Sequence, residues 1–360
     1  MCIHSLERGD ETAQDDGVKL SHSSDVELSI IVVSFNTREM TLDCLRSIQA
    51  QTHDTSYEII VVDNMSTDGS IQAIRCEFSD VRLIASTENL GFARANNLAA
   101  ASARGRQILL LNPDTIVLDR AVDRLVAFSN EHQSNRLWGG RTAFADGSLN
   151  PASCWRNLTA WNLLCWSLGL TFLAPNSPIL NSKAYGGWDR STVRHVDIIS
   201  GCLLLIDREF WNHLRGFDLA FFMYGEEADL CHRARQAGAR PIITPTATIV
   251  HYAGASETSS VDKAVKLFRG QVTLMNKHWS PLTRVLGHAL LLMSPLVRSV
   301  AYRFAARATG RADFMRNALS WRAVWKGRHG WMHGYASPLH QAPGGAAGNW
   351  RMRSKGRSVK

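Results

Sequence analysis

The sequence has no cysteines at metal-ligand spacing. Its seven (Cys2, Cys44, Cys76, Cys154, Cys165, Cys202 and Cys231) are odd in number, scattered and without a C-x-x-C. That argues against a zinc site and a disulfide framework, and suits a reducing compartment. No G-x-G-x-x-G follows the first apolar run and no G-x-x-x-x-G-K-[ST] occurs, so dinucleotide and P-loop sites lack their anchors. Internal repeats and low-complexity tracts are also absent. The first 25 residues carry Glu7, Asp10, Glu11, Asp15 and Asp16 but no apolar core; this reads as a disordered lead-in over 1–26, not a signal peptide. Acids are nearly missing from the other end, where Pro281 to Lys360 holds 14 Lys or Arg against Asp313 alone. Taking that +13 from the overall +8 leaves −5 for the other 280 residues, so the basic excess belongs to the tail.

What is present is a repeated strand–helix pattern in 360 residues that are 45% hydrophobic, enough for one large core or two modest ones. "ELSIIVVSFN" (27–36) and "YEIIVVDN" (57–64) are continuous apolar runs, as expected of strands covered on both faces. "VRLIAS" (81–86) is a weaker strand, and "RQILLLNPDT" (106–115) a fourth that stops at Pro113. Helices are predicted from Thr37 to Gln51, with Met40, Cys44, Leu45 and Ile48 inward, and within "NLGFARANNLAAASARG" (89–105). Such units imply an α/β fold: a mostly parallel, Rossmann-like sheet with helices on both faces. Further on, "HVDIISGCLLLIDREFW" (195–211) gives a strand and a helix start. "EEADLCHRARQAG" (226–238) is a helix with Leu230, Ala234 and Ala237 on its inner stripe.

Ligands of open α/β sheets bind beyond the carboxyl ends of the strands. Three strands here end in polar residues: Ser34-Phe35-Asn36, Asp63-Asn64, and Asn112-Pro113-Asp114-Thr115. Separately, "FFMYGEEADL" (221–230) sets Glu226, Glu227 and Asp229 directly behind an aromatic cluster. Carboxylates beside apolar bulk are costly unless paired, metal-bound or used in proton transfer, although acids in a helix's first turn also complement its dipole.

Six pieces in order, "IIVVSFN", "IIVVDNMSTDGS", "ENLGFARANN", "LLLNPDT", "SGCLLLIDREFW…GFDLAFFMYGEEADLCHRARQAG" and "IVHYAGASE", resemble the family 2 glycosyltransferases of the GT-A fold, particularly the rhamnosyltransferase-like branch. The resemblance runs from about Leu28 to His278. It implies an inverting transferase that moves a sugar, with rhamnose or another deoxyhexose as the branch-level expectation, from a dTDP- or UDP-linked donor to a hydroxyl of a lipid-linked or polysaccharide acceptor. The donor would meet Ser34, Phe35, Asn36, Asp63 and Asn64, with Asn89, Gly91 and Asn96 close by. Asn112-Pro113-Asp114 stands where the family has D-x-D, implying that Asp114, with His251, binds Mg2+ or Mn2+. The family's catalytic base is the second acid of a Glu-Asp pair; here that position is Glu227, one methylene longer, so Glu226 or Asp229 could share the work.

Two segments raise the question of lipid. Asn157 to Ser182 contains no charged residue, and a helix pair or lid beside the acceptor site, or an interfacial element with Trp155, Trp161 and Trp166, accounts for it. "VLGHALLLMSPLV" (285–297) would reach roughly 20 Å as a helix, short of the roughly 30 Å hydrocarbon thickness. With Arg284, His288 and Arg298 on one side of a helical projection, and with Trp321, Trp325 and Trp331, the tail reads as a monotopic anchor on an anionic membrane surface. Packing of the tail on the catalytic domain is the alternative. The expected organisation is therefore 1–26, then a domain over 27–280 (donor half 27–142, acceptor and catalytic half 143–280), then the basic tail 281–360, in a cytoplasmic, peripherally membrane-bound enzyme. A nucleotidyltransferase would want a glycine-rich basic loop where "SFNTREM" stands, and a nucleic-acid-binding tail would want a recognised fold signature, so no nucleic-acid partner is expected.

Overall fold

The structure is a computed structural model that describes residues 26–252 and 259–335. The expected lead-in, the last 25 residues of the tail and the "AGASE" end of the sixth motif lie outside the described residues.

The first half alternates as its sequence pattern demands: β1 (Leu28–Ser34), α1 (Arg38–Gln51), β2 (Tyr57–Asp63), α2 (Ser70–Glu77), β3 (Arg82–Ala85), α3 (Gly91–Ala100), β4 (Gln107–Leu111), β5 (Thr115–Val117) and α4 (Ala121–Glu131). β1 is buried along its whole length because successive side chains feed two cores. Ile31 and Val33 pack with Ile60 and Val62 on one face of the sheet. Leu28, Ile30 and Val32 pack with Ile59, Val61 and α1's Leu45 and Ile48 on the other. Met40, expected on that inner stripe, is only half-buried.

The chain continues through β6 (Leu137–Ala143), β7 (Leu149–Asn150), β8 (Cys154–Trp155), α5 (Ala160–Ser167), α6 (Leu170–Leu173), β9 (Arg194–His195), β10 (Ile198–Ile199), β11 (Leu203–Asp207), α7 (Arg208–His213), α8 (Glu226–Gln236) and β12 (Ile242–His251). The sheet order is β3-β2-β1-β4-β11-β6-β12-β5. Its first four strands are mutually parallel, while β11 enters antiparallel between β4 and β6. This is the expected α/β sheet with a reversed strand at its centre. On α8, Leu230 and Ala234 are buried, but Ala237, predicted inward, is exposed, and Ala239 takes the inner position after the helix ends.

Three helices follow: α9 (Ser260–His278), α10 (Pro281–Thr309) and α11 (Ala312–Lys326). They make a third core in which Phe268, Val272 and Met275 of α9 meet Leu290 and Leu291 of α10, Val324 of α11 and Leu163 of α5. The apolar tail segment is thus part of a 29-residue helix, roughly 44 Å at about 1.5 Å per residue, and longer than its leucine run suggests. By length and composition α10 could cross a membrane, although 39% of its most apolar window is buried. Pro295 lacks the N–H that Leu291's carbonyl would receive, and the Ser294 hydroxyl donates to that oxygen instead, at 3.0 Å.

Arg298 departs from the expected polar face. It is buried, donating to the Trp166 carbonyl at 2.7 Å, with its guanidinium carbon 4.0 Å from the Trp166 ring centroid and 5.0 Å from those of Phe172 and Trp321. Burial lowers its pKa to about 10. An aromatic box can hold a guanidinium in this way because the ring faces are electron-rich. The outward face of α10 carries Leu282, Val285, Leu286, Leu296, Val300 and Phe304.

Candidate active site

The ends of β1 and β2 form one rim of a cavity. Asp63 closes β2, fully buried; its Oδ1 accepts from the Ser66 N–H at 2.9 Å, and its Oδ2 is buried with no partner among the described residues. Next to it, Asn64 accepts from the Leu90 N–H at 2.7 Å and donates to Asn89 Oδ1 at 3.0 Å. Asn36, at φ 52°, accepts from the Thr67 N–H at 2.8 Å. Gly91 has φ +73°, and a Cβ there would sit 2.4 Å from the Phe222 carbonyl oxygen, so only glycine fits. That carbonyl accepts from the Phe92 N–H at 2.8 Å. The "NLG" turn is thereby clamped onto the "FFMYGEE" segment.

Asn112 and Asp114 follow β4, and the β12–β5 pairing sets His251 opposite Thr115. His251 Nε2 lies 3.4 Å from Asp114 Oδ1 and 3.5 Å from Asn112 Nδ2, and its Nδ1 is buried with no partner among the described residues. Burial works against protonation of this imidazole, but Cys202 and Asp114 more than offset it and raise its pKa to about 10. No group of three His, Cys, Asp or Glu occurs at metal-binding range among the described residues. A hard divalent cation that keeps several waters and takes phosphate oxygens needs few protein ligands, so the buried Asp114 carboxylate fits Mg2+ or Mn2+, and His251 would join it only on giving up its proton.

The three acids of "GEEAD" do not share one environment. Gly225, at φ +105°, opens α8. Glu226 is buried, with Oε2 unpartnered among the described residues; burial and the Glu227 charge push its pKa well above the usual carboxylate range. Glu227 Oε2 accepts from the Gly225 N–H at 3.2 Å; burial raises its pKa, opposed by hydrogen bonding and the charge of Lys183. Asp229 faces the other way and does not line the cavity. It is fully buried against Arg233 Nε (2.7 Å), Lys277 Nζ (2.6 Å) and His278 Nε2 (2.8 Å), tying α8 to α9. Burial alone would raise its pKa, but hydrogen bonds from His278 and Lys277 and the charge of Arg233 hold it well below the usual range.

One cavity of about 980 Å³ brings together Phe35, Asn36, Asn64, Asn89, Gly91, Asn112, Asp114, His251, Glu226 and Glu227. Of the residues singled out from sequence, Ser34, Asp63, Asn96 and Asp229 are not on its wall. The Ser34 hydroxyl is taken by Thr37 and Thr41 at 3.1 and 2.9 Å, and Asn96 donates to the Phe92 carbonyl at 2.9 Å. The opposite wall takes Trp155 of β8 and Leu163 and Trp166 of α5, from the segment that the sequence suggested as a lid or an interfacial element, together with side chains that sequence reasoning missed: Lys183 ahead of β9, His232 of α8, and the inner stripe of α9. Lys183 carried one signal, as the first charged residue after the uncharged run from Asn157 to Ser182.

Residues 29–191 match the model of glycosyl transferase family 2. The chain is 27% identical over 234 residues to the O-antigen biosynthesis protein RfbC of Myxococcus xanthus, a match covering 64% of this chain and 18% of that protein. It is 25% identical over 302 residues to the N-acetylglucosaminyl-diphospho-decaprenol L-rhamnosyltransferase of Mycobacterium tuberculosis, covering 78% of this chain and 95% of that one. Among solved structures, the mannosyltransferase PcManGT from Pyrobaculum calidifontis, in complex with GDP-Man and Mn2+, superposes with a TM-score of 0.52 at 18% identity, over 84% of this chain and 87% of that one. The fold is the GT-A fold.

Proposed function

We propose that this chain, whose residues 29–191 match glycosyl transferase family 2 and whose relatives include an L-rhamnosyltransferase, transfers a deoxyhexose such as rhamnose from a dTDP- or UDP-linked donor to a hydroxyl of a lipid-linked acceptor, with inversion. The observation that carries the reading is that Asp114 and Glu227, far apart in sequence, line one cavity. The donor's base would lie against Phe35, Asn36 and Asn64, with the unpartnered Asp63 Oδ2 behind them as a stored acceptor. Asp114 and His251 would hold a divalent cation, which supplies positive charge to the departing diphosphate.

Glu227 acts as base. The acceptor oxygen forms a bond to the anomeric carbon as its proton passes to the Glu227 carboxylate, and the bond from that carbon to the diphosphate oxygen breaks. A carboxylate with a raised pKa is a better proton acceptor than an ordinary one. Burial and the Glu227 charge push the Glu226 carboxyl toward its neutral form. Asp229, bonded to Arg233, Lys277 and His278 and off the cavity wall, is not placed to take the proton, which leaves Glu227 as the base.

The outward leucines and Phe304 of α10, with Phe172 and Leu173 of α6, support peripheral attachment to an anionic cytoplasmic membrane surface. Flotation with phosphatidylglycerol vesicles should fall when Leu286 and Phe304 are both changed to Asp; undiminished flotation removes this part. The reaction itself is tested with a panel of dTDP-, UDP- and GDP-sugars, read by Mn2+-dependent thermal stabilisation and by the anomeric configuration of the product. A dTDP- or UDP-deoxyhexose should stabilise most and give an inverted product; retention of configuration would refute the single displacement.

A further inference from the structure

Glu227 is served by a turn that the chain would not adopt unaided. Tyr224 has φ 66° and Gly225 φ 105°. A side chain in the left-handed region persists only where its surroundings over-determine it. The Gly225 N–H that follows is the one that donates to Glu227 Oε2, at 3.2 Å. Three contacts hold the turn. On the donor side, the Phe222 carbonyl accepts from the Phe92 N–H at 2.8 Å. Behind it, α9 presses so close that a Cβ on Gly270 would fall 2.0 Å from the Tyr224 carbonyl oxygen. The third comes from beyond α11, where the Tyr335 hydroxyl donates to the Met223 carbonyl at 2.5 Å.

Tyr335 is itself built into place. Trp331 is buried in the third core and donates to the Val324 carbonyl at 3.1 Å. Arg269 Nε donates to the Gly330 carbonyl at 2.8 Å, and its guanidinium carbon lies 5.4 Å from the Tyr335 ring centroid. The Tyr335 N–H donates to Thr273 Oγ1 at 2.9 Å. Gly334, at φ +78°, passes so near that a Cβ there would meet the same oxygen at 2.7 Å. Residues 330–335 thus form a strap that runs from α11 across α9 to the loop bearing Glu227.

We propose that Tyr335 is a positioning residue for Glu227: by holding the Met223 carbonyl it fixes the 223–225 turn and keeps the Gly225 N–H aimed at the Glu227 carboxylate. Tyr335 itself is off the cavity wall and acts only through that turn. The role rests on the reading of Glu227 as the base, and it gives the tail's packing on the catalytic domain a part in the reaction.

The test is NMR of the full chain. Met223–Tyr224 is the only Met-Tyr pair in the sequence, so carbonyl-13C methionine with 15N tyrosine gives a single amide signal that reports this hydrogen bond. Tyr335→Phe keeps the ring and should move that carbonyl upfield. It should also raise the pH at which the Gly225 amide titrates with Glu227, because a hydrogen bond to a carboxylate favours its charged form. The other ionisable groups about Glu227 are untouched by this variant: Glu226 and Cys231 of α8, Lys183, and Lys263 and Lys266 of α9 on the same cavity. Turnover of dTDP-rhamnose with Mn2+, water serving as acceptor, should fall about tenfold in kcat with KM unchanged, and its acid limb should move to higher pH. Gly334→Ala, which lifts the strap from Thr273 while keeping Tyr335, should shift both signals in the same directions. An unmoved Met223 carbonyl, or a moved one with an unmoved Gly225 titration, overturns the role. Glu227→Gln with the parent's kcat defeats the base reading and this role with it, whereas a crippled Glu227→Gln beside an unmoved Met223 carbonyl in Tyr335→Phe defeats Tyr335 alone.

Discussion

The two ends of the cavity are built on different terms. At the Asp63–Asn64–Asn89 end, polar groups are tied to one another by backbone turns, so the surface is rigid before anything binds. At the α9 end, lysines share the wall with tryptophans and leucines. A preorganised end lowers the entropy cost of ordering the ligand it binds. The same contrast runs along α8, where Glu227 faces the cavity and Asp229, two residues on, is fully spent on structure.

That contrast can be broken in four places. Glu227→Gln should cost about a thousandfold in kcat while leaving nucleotide affinity unchanged, because it removes only the proton acceptor; Glu226→Gln should cost less than tenfold. A kcat within a few-fold of the parent for Glu227→Gln would equate the two acids. Asp229→Asn should lower stability by about 1.5–3 kcal/mol in denaturant titration, since the fully buried carboxylate that bonds Arg233, Lys277 and His278 loses its charge. Asp229's depressed pKa makes its contribution full above the unfolded value near pH 4 and lost as pH falls toward the much lower native value, so the parent–variant difference should shrink only in acid. Gly91→Ala, which forces φ +73° on a side chain and a Cβ into the Phe222 carbonyl, should cost about 1–3 kcal/mol and loosen the donor end first, read as a weaker nucleotide affinity. The smallest effect is Lys183→Met: with that charge gone, the Glu227 pKa rises further and the acid limb of the pH–rate profile moves to higher pH, whereas an unmoved limb separates Lys183 from the base.

The sequence carried the donor end because its devices are local. Apolar runs end in Asn, Asp and Gly at strand ends, and those residue types have few other reasons to sit there. It carried Glu227 through a motif but could not separate it from Asp229, because the cations that claim Asp229 come from α9 and from the next turn of α8. The acceptor end was poorly legible for a different reason. Its wall is assembled from α5, α9 and α11, whose packing against one another depends on contacts distant in sequence, such as Trp166 with Phe268 and Trp321 at 5.6 and 6.3 Å. Arg298 shows the same limit: a helical projection places it on a polar face, and only the three aromatic rings around it make burial tolerable.

The most direct measurement is an anomalous diffraction map of crystals grown with Mn2+ and UDP or dTDP. The account predicts a manganese peak bonded to Asp114 and within reach of His251, with the nucleotide diphosphate beside it and the open side of the cavity facing Glu227. Manganese or nucleotide bound at a surface that does not include Asp114 would contradict it.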